Sequence, residues 1–324
     1  MITIAGRLKP FSHHPKTLCL IPGSQYIVEA FPTLIRIKSF AGIIVKEVLL
    51  EAQGPLRQFT VMQDLERGCV TLFSEQYCLH VLPNLDVALQ KNPPLPPLAI
   101  KERLSLGSHK KQEWEQIKRR CDFREIFPLW LRLGSLLNLP PRKGDERGAF
   151  SLLQSVRAAS YSHQPETILP AFERLFLSCF GHLLIPRAYD EDYQGFLSAS
   201  EPYSEDSPLY LLTEGAEMIR SLFFIASENE ISILPNLPPE FFAGRMTHLL
   251  CPPYGTVDLE WSKKTIKKVH FHAQNDGEMI FHFRSDIRRF RVRRDGRERG
   301  DLFSCGDSLA IKSGSHYLLD LFQK

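Results

Sequence analysis

The stretch Lys91–Leu98 carries four prolines in eight residues, and it limits what this chain can fold into more than any other feature. Proline lacks an amide donor and fixes φ, so such a tract joins neither a helix nor a β ladder and serves as a stiff spacer. A proline-recognition motif is the other use of such a run. The hydrophobic period differs on its two sides. Before it, apolar residues alternate: in TLIRIKSF, Ile35 and Ile37 share one face while Leu34, Arg36 and Lys38 share the other, and in QYCLHVL, Tyr77, Leu79 and Val81 stand together against Cys78 and His80. Turn residues at Pro22-Gly23-Ser24, Gly54-Pro55 and Glu66-Arg67-Gly68 separate these runs. The pattern predicts an antiparallel β domain over residues 1–90 and a linker over 91–99.

Beyond the linker the period becomes helical. Five helices are expected, near Ser108–Arg120, Phe123–Leu137, Arg147–Tyr161, Glu166–Leu184 and Pro208–Ala226, the second opened by an Asp122/Glu125 capping box and the fourth preceded by Pro165. From Ile231 onward strands return. VHFHAQNDGEMIFHFR, Val269–Arg284, reads as a hairpin turning at Asn275-Asp276-Gly277, with Gly277 left-handed, Phe271 opposite Phe281 and His270 opposite His282. The whole is an α+β multidomain chain: an N-terminal antiparallel β domain, a short central helical domain over 100–229, and a C-terminal antiparallel β domain over 230–324. With 324 residues and 43% hydrophobic composition it can bury a large core.

A net charge of +3, from 40 basic and 37 acidic side chains, leaves no global field to draw the chain to nucleic acid or membrane. No apolar run reaches the length of a membrane span, and residues 1–22 lack a charged segment followed by an apolar one. Seven scattered cysteines without a CxxC pair fit reduced thiols. These features predict a cytoplasmic protein with no membrane partner.

The junction ENEISILPNLPPEFFAG, Glu228–Gly244, continued by YGTVDLEWS, Tyr254–Ser262, resembles that of glycoside hydrolase family 95, the α-L-fucosidase type, over about residues 213–268. That family joins an (α/α) helical barrel to a small β domain through a similar ILPALP-like segment. The resemblance implies a partial helical toroid here, since the five helices expected are fewer than a full ring needs. In the family an aspartate ahead of a helix bearing Ala-Glu-Met acts as general base in an inverting hydrolysis. Ala216-Glu217-Met218 match that triplet, and the family's spacing leads back to Asp206. The glycine-rich segment that follows the family's aspartate is replaced by Ser207-Pro208-Leu209-Tyr210-Leu211. No residue matches the family's general acid; Glu166, Glu173 and Glu191 are carboxylates in the same region. Asp206 is equally placed to cap a helix or to sit solvated beside Glu201 and Glu205.

Four other groupings invite chemistry. Asp190, Glu191 and Asp192 in YDEDYQ suit a hard cation or a solvated turn. His270, His272 and His282 on one hairpin face suit zinc, or simply the polar face of a sheet; the latter reading is preferred, and no cofactor or metal is expected. Cys179 and His182 on one helical face suggest a thiolate and base, although a buried apolar site would raise the thiol pKa. Arg289, Arg291 and Arg293, within the basic stretch Arg284–Arg299, form either a nucleic-acid ridge or an edge strand protected by charge and partly paired to Asp286, Asp295 and Glu298. The reading favoured is a glycoside-hydrolase-like protein of reduced size that binds a carbohydrate or protein partner, with hydrolysis lost or residual. An active inverting hydrolase using Asp206 and a nucleic-acid-associated protein are the alternatives.

Overall fold

Residue 2 begins a computed structural model that describes residues 2–89, 102–144, 146–162, 164–188, 190, 206–284, 287–297 and 299–324. The proline tract lies outside the described residues, as do Glu191, Asp192, Glu201, Glu205, Asp286 and Glu298.

Strands occupy the first part of the chain and pair antiparallel throughout. One sheet has the order Phe11–Ser12, Thr60–Asp64, Cys69–Phe73, Cys78–Val81, Val87–Ala88; the other runs Thr17–Leu20, Tyr26–Ala30, Leu34–Ser39, Ile44–Leu49. The alternation explains both. Ile35 and Ile37 are fully buried, as are Leu79 and Val81. His80, expected on an outer face, is buried as well, and its Nδ1 meets Thr71 Oγ1 at 2.9 Å. A buried imidazole is tolerated there because it has that partner. The turn after Leu20 needs Gly23 at φ 76°, a conformation open to glycine at no steric cost.

Five α-helices follow among the described residues: α1 Trp114–Arg120, α2 Phe123–Gly134, α3 Ala149–Tyr161, α4 Ile168–Cys179 and α5 Leu209–Phe223. Asp122 caps α2 by accepting from the Arg124 amide at 3.0 Å. Glu125 does not complete a capping box: it is ion-paired with Arg120 and Lys110. Pro165 opens a 3-10 turn, Pro165–Thr167, that leads into α4. Helices α2 and α5 pack closely because two glycines stand at the contact. A Cβ on Gly134 would lie 2.4 Å from the Leu212 carbonyl oxygen, and one on Gly215 would lie 2.4 Å from the Trp130 ring. Phe127, Trp130, Phe172, Phe176 and Phe180 fill the space between α2 and α4 with ring centroids 4.4–6.4 Å apart. Each such side chain contributes roughly 1.5–3 kcal/mol by leaving water.

The helical reading overreached at its margins. α4 ends at Cys179 and the chain turns into short strands at Phe180–Gly181 and Ile185–Pro186. α5 ends at Phe223 and passes directly into the strand Phe224–Ser227. Arg103–Ser105, on the helical side of the proline tract, is a strand that pairs with Ala243–Cys251. It therefore belongs to a seven-stranded sheet in the order Arg103–Ser105, Ala243–Cys251, Gly255–Ser262, Thr265–Ala273, His316–Gln323, Arg289–Arg294, Asp301–Ser304.

A four-stranded sheet faces it, in the order Phe224–Ser227, Glu230–Ile233, Gly277–Phe283, Ser308–Ile311, with Glu230–Ile233 parallel to Gly277–Phe283. The expected hairpin at Val269–Arg284 is therefore a corner. Its two arms enter different sheets, and Phe271 meets Phe281 across the core, ring centroids 6.1 Å apart, instead of beside it in a ladder. Gly277 is not left-handed. It begins a strand, and a side chain there would strike the Tyr254 ring at 2.3 Å.

Candidate functional site

Helix α5 is amphipathic by sequence. Leu211, Leu212, Ile219, Leu222 and Phe223 are fully buried, while Tyr210, Thr213, Glu214, Glu217 and Arg220 recur at the spacing of one helical face. That polar face forms one wall of a cavity of about 660 Å³. The opposite side is the end of α2 and the stretch Leu137–Arg142, stiffened by Pro140 and Pro141; Gly144, Glu146, Arg157 of α3 and Glu102 complete the lining.

Arg142 organises the charges. Its side chain is only 6% exposed and bridges three carboxylates from different segments: Glu214 at 2.7 Å, Glu146 at 2.9 Å and Asp206 at 3.4 Å. Its guanidinium also lies over the Phe150 ring, 4.2 Å from the centroid. Burial opposes this charge, but Glu214 and Glu146 outweigh burial and hold the guanidinium protonated beyond its usual range. Glu214 is shared with Arg157 at 3.3 Å. Arg220 grips Glu102 through Nε at 2.7 and 2.9 Å and donates to the Leu250 carbonyl at 2.9 Å. Glu102 in turn accepts the Leu250 amide, tying this wall to the C-terminal sheet.

Glu217 differs from its neighbours. It lines the cavity yet, among the described residues, has neither a hydrogen-bond nor an ion-pair partner. Although it reaches solvent, the protein around it removes enough water to raise its carboxyl above the ordinary range, and the charge of Glu214 adds to the effect; Arg157 and Arg220 pull the other way. The cavity thus presents fixed, mutually neutralised donors and acceptors plus one carboxyl that takes up a proton more readily than usual.

The residues singled out in the sequence are scattered. Asp206 precedes α5 but does not cap it, since the cap position is Pro208. Its carboxylate is turned to Arg142 and covered by Gly144, where any Cβ would collide with it, and it is absent from the cavity lining. Glu166 and Glu173 lie away from the cavity, on the 3-10 turn and on α4. Cys179 is buried and its thiol pushed far up by burial, while His182 lies exposed in the turn beyond the end of α4, so the two share no helical face. His270 and His272 stack on one strand, their centroids 6.4 Å apart, but His282 is in the other sheet beside Glu230. The register partner of His272 is His316, Nδ1 to Nδ1 2.6 Å. Among the described residues no group of three or more His, Cys, Asp or Glu stands where it could hold a metal ion.

Arg289–Arg294 is not an edge strand, for Asp301–Ser304 lies outside it. Arg291 and Arg293 converge on Asp320, which the basic stretch gave no reason to suspect because it belongs to the neighbouring strand His316–Gln323. Arg142, Glu214 and Glu217 were missed too. The signal that could have found the last two is the polar stripe of α5; Arg142, 72 residues from Glu214, leaves no local trace.

No family model matches the chain, and no curated protein matches it. Among solved structures, a GH127 beta-L-arabinofuranosidase from Geobacillus stearothermophilus T6 is similar over 54% of this chain at 9% identity, with a TM-score of 0.21. The matched part is 30% of that chain. A glycoside hydrolase thus stands among the structural neighbours, at a likeness too slight to carry a fold or an activity across. All seven cysteines are free, and no helix of the described residues is long and apolar enough to cross a membrane.

Proposed function

We propose that this chain is a glycoside-hydrolase-like protein that holds a carbohydrate in the α5 cavity and has lost hydrolysis wholly or nearly so. The observation that carries the reading is the placement of the carboxyls. Of the four carboxyls in the lining, Glu102 and Glu146 are ion-paired with Arg220 and Arg142, Glu214 and Glu217 stand one helical turn apart on a single wall, and Asp206 faces Arg142 outside the lining. Inverting hydrolysis needs an acid and a base on opposite sides of the sugar, their carboxyls about 6.5–9.5 Å apart. Residues at i and i+3 are about 5–6 Å apart at Cβ and face the same way, so they cannot flank a ring. What the wall does offer is a set of guanidinium donors and carboxylate acceptors whose charges cancel. Sugar hydroxyls, which both donate and accept, match such a surface without the cost of burying an unpaired charge.

The family 95-like junction fits this reading, with Asp206 at the position of that family's base and its role reduced to anchoring Arg142. Seven free thiols fit a cytoplasmic location. The shared Asp320 leaves Arg291 and Arg293 poorly disposed to take phosphates, which supports keeping nucleic acid out of the account. Calorimetric titration with neutral oligosaccharides is the test. Binding is expected for the wild type, unchanged within a few fold by Asp206→Asn and weakened roughly tenfold by Glu217→Ala, the loss of about one charge-assisted hydrogen bond. Binding that ignores Glu217→Ala, or no binding across linear and branched neutral glycans, would remove this reading.

A further inference from the structure

A second cavity, of about 370 Å³, lies where the N-terminal segment, the Glu66–Arg67 turn and the strand Arg103–Ser105 meet. Its charged lining is Arg7, Lys9, Arg67 and Arg103 against a single carboxylate, Glu66. Three of these groups are built in. Glu66 accepts the Leu8 amide at 2.9 Å and Arg103 at 2.8 Å; Arg103 also donates to the Gly6 carbonyl at 2.6 Å; Lys9 is ion-paired with Asp64 at 2.5 Å. Arg7 and Arg67 are different, because among the described residues neither guanidinium has a partner. Arg132 adds a further positive charge close by. It is buried, its Nε donates to the Leu65 carbonyl next to Glu66, and its Nη1 has no hydrogen-bond partner.

Two guanidiniums without a partner among the described residues, beside two cations held in place by ion pairs, suit a tetrahedral dianion. The planar N–H fork of arginine matches two oxygens of such an anion at once, and two forks from different segments fix its orientation. The cavity exceeds the volume of a phosphate and leaves room for a small organic group attached to it. We propose that this pocket is an anion site for a phosphate-bearing small molecule, with Arg7 and Arg67 as the clamp and Arg103 as the fixed donor that Glu66 holds in place. The site is separate from the α5 cavity, whose lining shares none of its residues.

The proposal is tested by thermal shift and calorimetry on the full chain with inorganic phosphate and with glucose 6-phosphate, each against sodium chloride at matched ionic strength. Both phosphates should raise the melting temperature above the chloride control, and Arg7→Ala and Arg67→Ala should each weaken phosphate binding about tenfold or more. Tighter binding of glucose 6-phosphate than of inorganic phosphate assigns the site to a phosphate ester, and equal binding assigns it to the free anion. Arg288→Ala with Arg289→Ala, on the other basic surface, should leave binding intact. No stabilisation beyond chloride, or phosphate binding that survives both Arg7→Ala and Arg67→Ala, would overturn the assignment.

Discussion

Two arginine clusters in this molecule use the same chemistry to opposite ends. Around Arg142 a buried guanidinium gathers carboxylates from three segments, Glu146, Asp206 and Glu214, and so holds open one wall of a cavity. On the C-terminal sheet the proportions are reversed: Arg291 and Arg293, each 27% exposed, converge on one carboxylate, Asp320, between adjacent strands. The first arrangement joins distant parts of the chain around a guanidinium that is only 6% exposed, so that charge depends on its partners. In the second the carboxylate is the buried member and the guanidiniums stay in reach of solvent, where water can replace Asp320 when it is removed. Arginine in a sequence therefore does not by itself mark a binding ridge; the number and burial of its carboxylates decide.

The largest effect that would break this contrast comes from Arg142→Ala. Removing the hub leaves three carboxylates close together, with Arg157 alone among the described residues to answer Glu214, and losing hydrogen bonds to charged groups costs about 1.5–3 kcal/mol. Chemical denaturation should show a loss of that size, with sugar binding abolished. A loss under 1 kcal/mol would mean that the hub is as replaceable as the surface cluster.

Asp320→Ala should be milder, about 0.2–1 kcal/mol at neutral pH. Burial raises the Asp320 carboxyl somewhat, but hydrogen bonds from Arg291 and Arg293 win and hold it below the usual carboxylate range. Because its folded pKa is depressed, its stabilisation is present above the unfolded carboxylate value, about 3.9, and disappears as the pH falls through the folded value. Wild type and variant should therefore differ in melting temperature at pH 7 and draw together as the pH falls below the ordinary carboxylate range, as followed by circular dichroism.

The smallest effect is expected at Glu217. A carboxyl raised in the folded state costs stability above its folded pKa and none when protonated. Glu217→Gln should raise the melting temperature at pH 7 by roughly a degree and leave it unchanged at pH 4. A fall at pH 7 would show that Glu217 has a stabilising partner after all.

Much of the fold was legible because period survives in sequence. The alternation of Ile35 and Ile37 and the helical spacing of Leu212, Ile219 and Leu222 follow from which face is buried, and burial is what the structure shows for each. The corner at Asn275–Gly277 was not legible. Phe271 and Phe281 alternate in the same way whether they pair within one sheet or meet across two, so alternation cannot tell a hairpin from a crossing between layers. A three-residue strand such as Arg103–Ser105 is too short to show a period at all. The candidate site was legible only in part. The stripe Tyr210, Thr213, Glu214, Glu217, Arg220 is visible in the sequence of α5, whereas the pairing of Arg142 with Glu214 and of Arg220 with Glu102, 118 residues away, is a product of tertiary structure.

The central claim is that the α5 cavity binds a sugar without cleaving it, and one NMR time course with an aryl α-L-fucoside examines both halves together. Saturation transferred from the protein to the sugar protons reports binding, and new anomeric signals report cleavage. The account predicts transfer that is lost in Glu217→Ala, with no free sugar appearing above the protein-free control over a day. Free sugar released by the wild type, and abolished by Asp206→Asn with the fold intact by circular dichroism, would contradict it and make Asp206 the base of an active hydrolase.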